Sequence, residues 1–135
     1  MTSPSHYAVY SPLMPITVCQ HLSFNLGNAF KYACRAPFSE DGKRDMEKGL
    51  DYLAMEIKLT NRMLDYSLAQ REAAIRALEA FERHLMLADL PPEGMTHNYR
   101  RALSVFISAL GQSFQDNHLA SFIVSIYCEL TEALR

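Results

Sequence analysis

The chain is 135 residues long, with 13 basic and 15 acidic residues, a formal net charge of −2 and 49% hydrophobic residues. That is one domain's worth of sequence with enough apolar mass for a sizeable core. It excludes the basic-stripe class of nucleic-acid-binding surface, and the longest apolar segment, near 119–130, is interrupted by Ser121 and Ser125 and is too short to span a bilayer. Cys19, Cys34 and Cys128 are odd in number and show no CxxC or Cys/His metal spacing, so a reduced, cytosolic chain is expected. The first twenty residues hold three prolines and no apolar block, which is not the pattern of a signal peptide.

Residues 1–13 read as an extended arm, with 7–10 able to form a short extended piece. Helices are then predicted near 14–22, 24–36, 42–66, 68–88, 97–112 and 117–134. No stretch alternates with period two, so the expected fold class is all-α, a compact bundle of five or six helices. The helix over 24–36 should stop before Pro37, because a residue preceding proline is pushed out of the α region. Asp41 is placed to cap the next helix, whose core stripe is Met46, Leu50, Leu53, Ile57 and Leu64. The fourth helix carries Ala69, Ala73, Ile75, Leu78, Phe81 and Leu85, and the fifth Leu103, Phe106, Ile107 and Leu110. Leu90-Pro91-Pro92-Glu93-Gly94 is the clearest break. The sixth helix is apolar nearly all round, which predicts burial on several sides and a subunit interface, hence a homo-oligomer.

A helix turns about 100° per residue, so Phe24, Asn28, Lys31 and Arg35 share one face. Leu26, Ala29, Phe30 and Ala33 lie on the other side and should pack inward. Gly27 costs such a helix about 1 kcal/mol relative to Ala, and one reading is that a backbone or ligand approaches there. Asp45, Lys48 and Tyr52 adjoin the core stripe of the following helix. Short loops join antiparallel helices, so the Arg35 end of one should meet the Asp45 end of the next. Lys31, Arg35 and Lys48 beside one Asp45 make an unbalanced set that a phosphate would complete, Arg as a fork and Lys as a point charge. The plainer reading is a surface Arg35–Asp45 ion pair, a solvated Lys48 and a polar Asn28.

His6-Tyr7, Pro15-Ile16, Phe24-x-x-Gly27-Asn28-Ala29-x-Lys31-Tyr32-x-x-Arg35 and Asp45-x-x-Lys48-x-x-x-Tyr52-Leu53 occur in an order that resembles a short family of tailed phages. Its characterised relative is a nucleoside monophosphate kinase without a P-loop that acts on dTMP and dGMP. The resemblance covers residues 5–57; residues 58–135 read as a helical extension suited to oligomerisation within a single domain of 1–135. The sequence departs from the family pattern after Arg35-Ala36, where Pro37-Phe38-Ser39-Glu40 precede the next cation, Lys43. It also has Met46 for Leu and Gly49 for Ala.

The resemblance implies a deoxynucleotide ligand, host-cytoplasmic location and phosphoryl transfer to a deoxynucleoside monophosphate, with a nucleoside triphosphate as donor and no resident cofactor. Lys31 and Arg35 would hold phosphates, Asn28 a phosphate or sugar hydroxyl, and Tyr52 or Phe24 the base. Asp45 would orient Arg35 or accept a proton. His6 would touch a phosphate or carry a proton and Tyr7 would stack on a base; without the resemblance, Tyr7 anchors the arm and His6 is solvated. Two other classes stay open: a nucleotide-binding protein without turnover, and a helical protein that binds a host partner. No metal site is expected. Glu79-x-x-Glu82 is half of a helical pyrophosphohydrolase motif, and Glu129-x-x-Glu132 is a poor second half. His84, His97 and His118 are isolated, His21 is placed to cap a helix end, and there is no Walker A or dinucleotide loop.

Overall fold

The computed structural model describes residues 10, 14–60, 64–87, 94–119 and 122–134. The described elements are all helical: α1 (Ile16–Cys19), α2 (Phe24–Arg35), a 3₁₀ turn over Ala36–Phe38, α3 (Gly42–Thr60), α4 (Leu68–Leu87), α5 (His97–Asp116) and α6 (Ile123–Ala133). No strand element occurs among the described residues. Helices α2 and α3 form one hairpin and α4 and α5 another; α1 packs on α2 and α4, and α6 packs on α5 and α3. The expected helical bundle is therefore what the chain forms.

The helix ends follow local chemistry. Ser23 caps α2 by accepting from the Leu26 N–H at 3.2 Å, and Asp41 caps α3 by accepting from the Arg44 N–H at 3.2 Å. Ser67 and Gln70 form a reciprocal capping box ahead of α4, each side chain accepting from the other's backbone N–H at 3.2 and 2.8 Å. Thr96 caps α5. Asn117 ends α5 in the left-handed region at φ 54°, and the following His118 N–H returns to the Ser113 carbonyl at 2.9 Å. That stop sets two corrections: α5 runs on to Asp116 rather than to 112, and α6 begins at Ile123 rather than 117. Likewise α1 is only Ile16–Cys19, and α3 closes at Thr60 instead of 66.

One hydrophobic core runs through all six helices. Leu26, Ala29, Phe30 and Ala33 are buried as expected, as are Met46 and Leu53, with Leu50 and Ile57 half-buried. Leu64 is buried beyond the end of α3. The α4 stripe is shifted from the expected one: Ala74, Leu78, Phe81 and Leu85 face the core, while Ala69 is exposed. The expected α5 residues Leu103, Phe106, Ile107 and Leu110 are all buried. Helix α6 buries Ile123, Tyr127 and Leu130 within the chain, yet Phe122, Ser125, Cys128 and Glu129 are exposed, so its burial is one-sided.

Three buried tyrosines tie the other segments to α2. The hydroxyls of Tyr10, Tyr99 and Tyr127 donate to the carbonyls of Cys34 (2.6 Å), Ala33 (2.6 Å) and Ala29 (3.0 Å). The Ala33 bond has a specific cause. An α-helical carbonyl accepts from the N–H four residues on, and that residue is Pro37, which has none. Tyr99, itself 1% exposed, supplies the missing donor. Burial pushes the Tyr99 and Tyr127 hydroxyls well above the usual tyrosine range, so both stay protonated donors.

Two glycines on the hairpin have opposite roles. A Cβ at Gly27 would lie 3.5 Å from the Cys19 carbonyl oxygen, an ordinary contact. The neighbour there is α1, whose Cys19 thiol lies 3.3 Å from the Gly27 carbonyl; burial pushes that thiol up to about 11. A Cβ at Gly49 would instead overlap the Tyr127 hydroxyl and lie 2.6 Å from its Cζ. Only glycine lets Tyr127 pass α3 to reach Ala29.

Two outcomes follow in chemical denaturation. Tyr99→Phe leaves the Ala33 carbonyl buried without its donor and should cost about 1–3 kcal/mol. Gly27→Ala should hold or raise stability by up to about 1 kcal/mol through helix propensity, whereas Gly49→Ala should lower it, the overpacking range being about 1–3 kcal/mol. Equal effects of the two alanines would refute the Gly49–Tyr127 fit.

Candidate functional site

Phe24, Asn28, Lys31 and Arg35 do form one face of α2, all exposed or half-buried, while their neighbours Leu26, Ala29, Phe30 and Ala33 are buried. The hairpin brings this face beside the Asp45–Tyr52 stretch of α3. Arg35 Nε lies 3.2 Å from Asp45 Oδ2, with side-chain exposures of 39% and 7%. The predicted meeting of the two helix ends therefore occurs. The geometry is that of an ion pair without a well-aligned hydrogen bond, since neither Arg35 Nε nor Asp45 Oδ2 completes one. Asp45 sits at the N-terminus of α3, where the helix dipole favours its negative charge. The Arg35 Nη donors make no bond to a described residue.

The lysines converge on a ring that sequence reasoning left out. Lys31 Nζ lies 4.6 Å from the Tyr32 ring centroid, and Lys48 Nζ, from the other helix, lies 6.0 Å from it. Tyr32 in turn stacks on Tyr52, centroids 6.1 Å apart and planes 18° apart. Tyr52 meets Phe24 edge to face at 5.7 Å and 75°. Phe24, Tyr52 and Tyr32 thus run as an aromatic row along the hairpin, with Lys31 and Lys48 at its Tyr32 end. The signal for Tyr32 was its place one turn after Asn28 and two turns after Phe24. Each exposed cation–π contact is worth about 0.5–1 kcal/mol, so ammonium groups resting on Tyr32 can move to another partner at small cost.

Other expected contributors are accounted for differently. The Asn28 amide nitrogen donates to the Phe24 carbonyl of its own helix at 2.8 Å, which leaves its Oδ1 as the outward group. His6 and Tyr7 lie outside the described residues. No group of three or more His, Cys, Asp or Glu that could hold a metal occurs among the described residues. Glu82 accepts from the Ser108 hydroxyl at 2.7 Å, and with Glu79 it lines a groove of about 450 Å³ between α4 and α5. His84 lies 3.1 Å from the Tyr10 carbonyl, a structural contact.

A second polar cluster, also unforeseen, sits under the start of α2. Glu56, 4% exposed, takes the Ser23 hydroxyl at 3.0 Å and the Asn25 amide at 3.5 Å. The Ser23 N–H donates to the Tyr66 hydroxyl, and burial raises that tyrosine's pKa. Among the described residues the carboxylate is held by neutral donors and by the positive end of α2, and no cation pairs with it. The signal was available: Gly49, Leu53 and Glu56 share the buried register of α3, so a carboxylate stood where an apolar residue was due. This cluster fixes Ser23, and with it the direction in which Phe24 leaves the helix.

A family model described as a protein of unknown function (DUF3310) matches residues 1–54. The matched segment contains α1, α2 and α3 as far as Ala54, and so the whole aromatic and cationic face. Glu56, Tyr66, Tyr99 and Tyr127 lie beyond it. No curated protein and no solved structure matches the chain.

Replacing Glu56 with Ala should destabilise the protein by about 1–3 kcal/mol, because it removes the buried acceptor of the half-buried Ser23 and Asn25 donors. Equilibrium unfolding in urea measures it, and a change within about 0.5 kcal/mol, the range of ordinary surface substitutions, would show that the cluster does not brace α2.

Proposed function

We propose that the α2–α3 face binds a deoxynucleotide and that the reaction it serves is phosphoryl transfer to a deoxynucleoside monophosphate, within the cytoplasm of a phage-infected host. The observation that carries the reading is the convergence of Lys31 and Lys48, from two helices, on the Tyr32–Tyr52 stack beside a half-exposed Arg35. Three cations against the single Asp45 carboxylate leave positive charge for a phosphate. The row from Tyr32 to Phe24, the latter 75% exposed, offers ring faces and edges to a base. Such stacking is worth about 1–3 kcal/mol per base.

The roles divide by geometry. Arg35 presents its Nη fork to a phosphate while Asp45 grips Nε from behind. Lys31 and Lys48 supply point charge, the kind of electrostatic stabilisation that dominates phosphoryl transfer. Asn28 Oδ1 suits a sugar hydroxyl. Of the two roles open to Asp45, orienting Arg35 fits better, because its carboxylate is nearly buried and turned toward the guanidinium. That burial also favours a second reading, binding without turnover, since the Asp45 carboxylate is committed to Arg35 and not turned to an acceptor's proton.

A panel of deoxynucleoside monophosphates, with and without ATP and Mg²⁺, separates the readings. Conversion to diphosphate supports the kinase, stoichiometric retention the binding protein, and neither would overturn both. Lys31→Ala and Arg35→Ala should each weaken binding by about 1–3 kcal/mol while the helical circular dichroism is unchanged. Wild-type affinity in both variants, measured by titration calorimetry, would remove the phosphate assignment.

A further inference from the structure

The outer face of α3 carries exposed apolar residues that no described element of the chain covers. Met55 is 45% exposed and Leu59 76%, and Tyr52 stands one turn before them with the 75% exposed Phe24 against its ring. Tyr52, Met55 and Leu59 follow one another at intervals of three and four, the spacing of a coiled-coil seam. Asp51 and Lys58 are both exposed, and each immediately precedes an outer seam residue, Tyr52 or Leu59. They therefore sit on the same edge of the seam, two helical turns apart, with opposite charge.

From this arrangement we infer that α3 pairs with α3 of a second copy of this chain, antiparallel, about a two-fold axis near Met55. An isologous contact must be self-complementary, since each patch meets its own image. Antiparallel pairing satisfies that condition: Asp51 meets the partner's Lys58, Lys58 meets the partner's Asp51, and Tyr52 packs on the partner's Met55. Parallel pairing in register would instead set Asp51 against the opposite edge of the partner's seam, where Glu56 stands, and would leave Asp51 and Lys58 without each other as partners. The charge pattern thus selects both the occupant and its direction. This interface differs from the α6 surface expected from sequence, because α6 spends its apolar face inside the chain. The inference does not depend on nucleotide binding, since its readout is mass.

Analytical ultracentrifugation of the full chain from low to high micromolar concentration, at low salt, tests it. The expected result is a reversible monomer–dimer equilibrium. Leu59→Glu should abolish the dimer with unchanged circular dichroism. Asp51→Lys and Lys58→Asp should each weaken it by about tenfold, as two attractive contacts become two repulsive ones. The double variant Asp51→Lys/Lys58→Asp should restore it, and an equimolar mixture of the two single variants should form the mixed dimer in preference. A monomer at every concentration, a dimer indifferent to Leu59→Glu, or a double variant no better than the singles would each overturn the interface.

Discussion

Everything else in this molecule is arranged around the carbonyl oxygens of α2. Pro37 lies in the 3₁₀ turn that follows that helix and removes the N–H that the Ala33 carbonyl would have used. A buried carbonyl without a donor is expensive, and the chain answers with Tyr99 from a helix more than sixty residues away. Tyr10 and Tyr127 donate in the same way to the carbonyls of Cys34 and Ala29, the latter a second bond on a carbonyl that already lies within the helix. Each hydroxyl is directional, whereas apolar packing alone tolerates sliding and rotation. The three bonds therefore fix the azimuth of α2 as well as its depth. With Ala29, Ala33 and Cys34 held inward, Phe24, Asn28, Lys31 and Arg35 have only one direction left, outward. The candidate site is a consequence of how the opposite side of the same helix is hydrogen-bonded.

The same logic carries over to α3 through Gly49. Tyr127 crosses α3 at that residue on its way to Ala29, so one side chain from α6 sets the separation of the two helices that build the site. Lys48 and Tyr52 lie one residue and three residues from that crossing. The ends of the hairpin are pinned by charge: Arg35–Asp45 at the turn and Glu56 with Ser23 and Asn25 at the open end. The two carboxylates differ in kind. Asp45 has a cation beside it and one half-exposed partner; Glu56 has, among the described residues, neutral donors and a helix terminus. The first remains adjustable and suits a ligand face, while the second is part of the scaffold.

Much of this was legible in the sequence, for definable reasons. Helical periodicity and breakers gave the order of helices, and the three-four spacing gave the Phe24–Arg35 face. A short loop gave the antiparallel meeting of Arg35 and Asp45. What escaped depended on long-range partners. Nothing local says that Tyr99 serves a carbonyl at Ala33, or that Gly49 is vacant for a tyrosine from α6. The end of α3 was placed too late, at 66, because apolar periodicity continues past Thr60 to Leu64; the end of α5 was placed too early, at 112, because the stop is set by the Asn117 cap and not by the apolar stripe. Tyr32 and Glu56 are different, because each carried a local signal. Tyr32 was in register with Phe24 and Asn28, and Glu56 stood in an apolar register. Both were passed over in favour of charges already grouped by spacing.

Tyr52 is where the two readings of the surface meet. Its ring stacks on Tyr32 on one side, touches Phe24 on another, and borders Met55 along α3. A base seated on the aromatic row and a second copy seated on the Tyr52–Met55–Leu59 seam would draw on the same ring. The cations do not share this conflict, since Lys31, Lys48 and Arg35 lie toward the hairpin turn, away from Leu59. A ligand held mainly by its phosphate would leave the seam free, and one held mainly by its base would compete for it. Thermodynamic linkage makes either relation reciprocal: whatever the second copy does to nucleotide affinity, nucleotide does to the dimer. On the proposed reading, the narrowness of the aromatic row would tie recognition and assembly together.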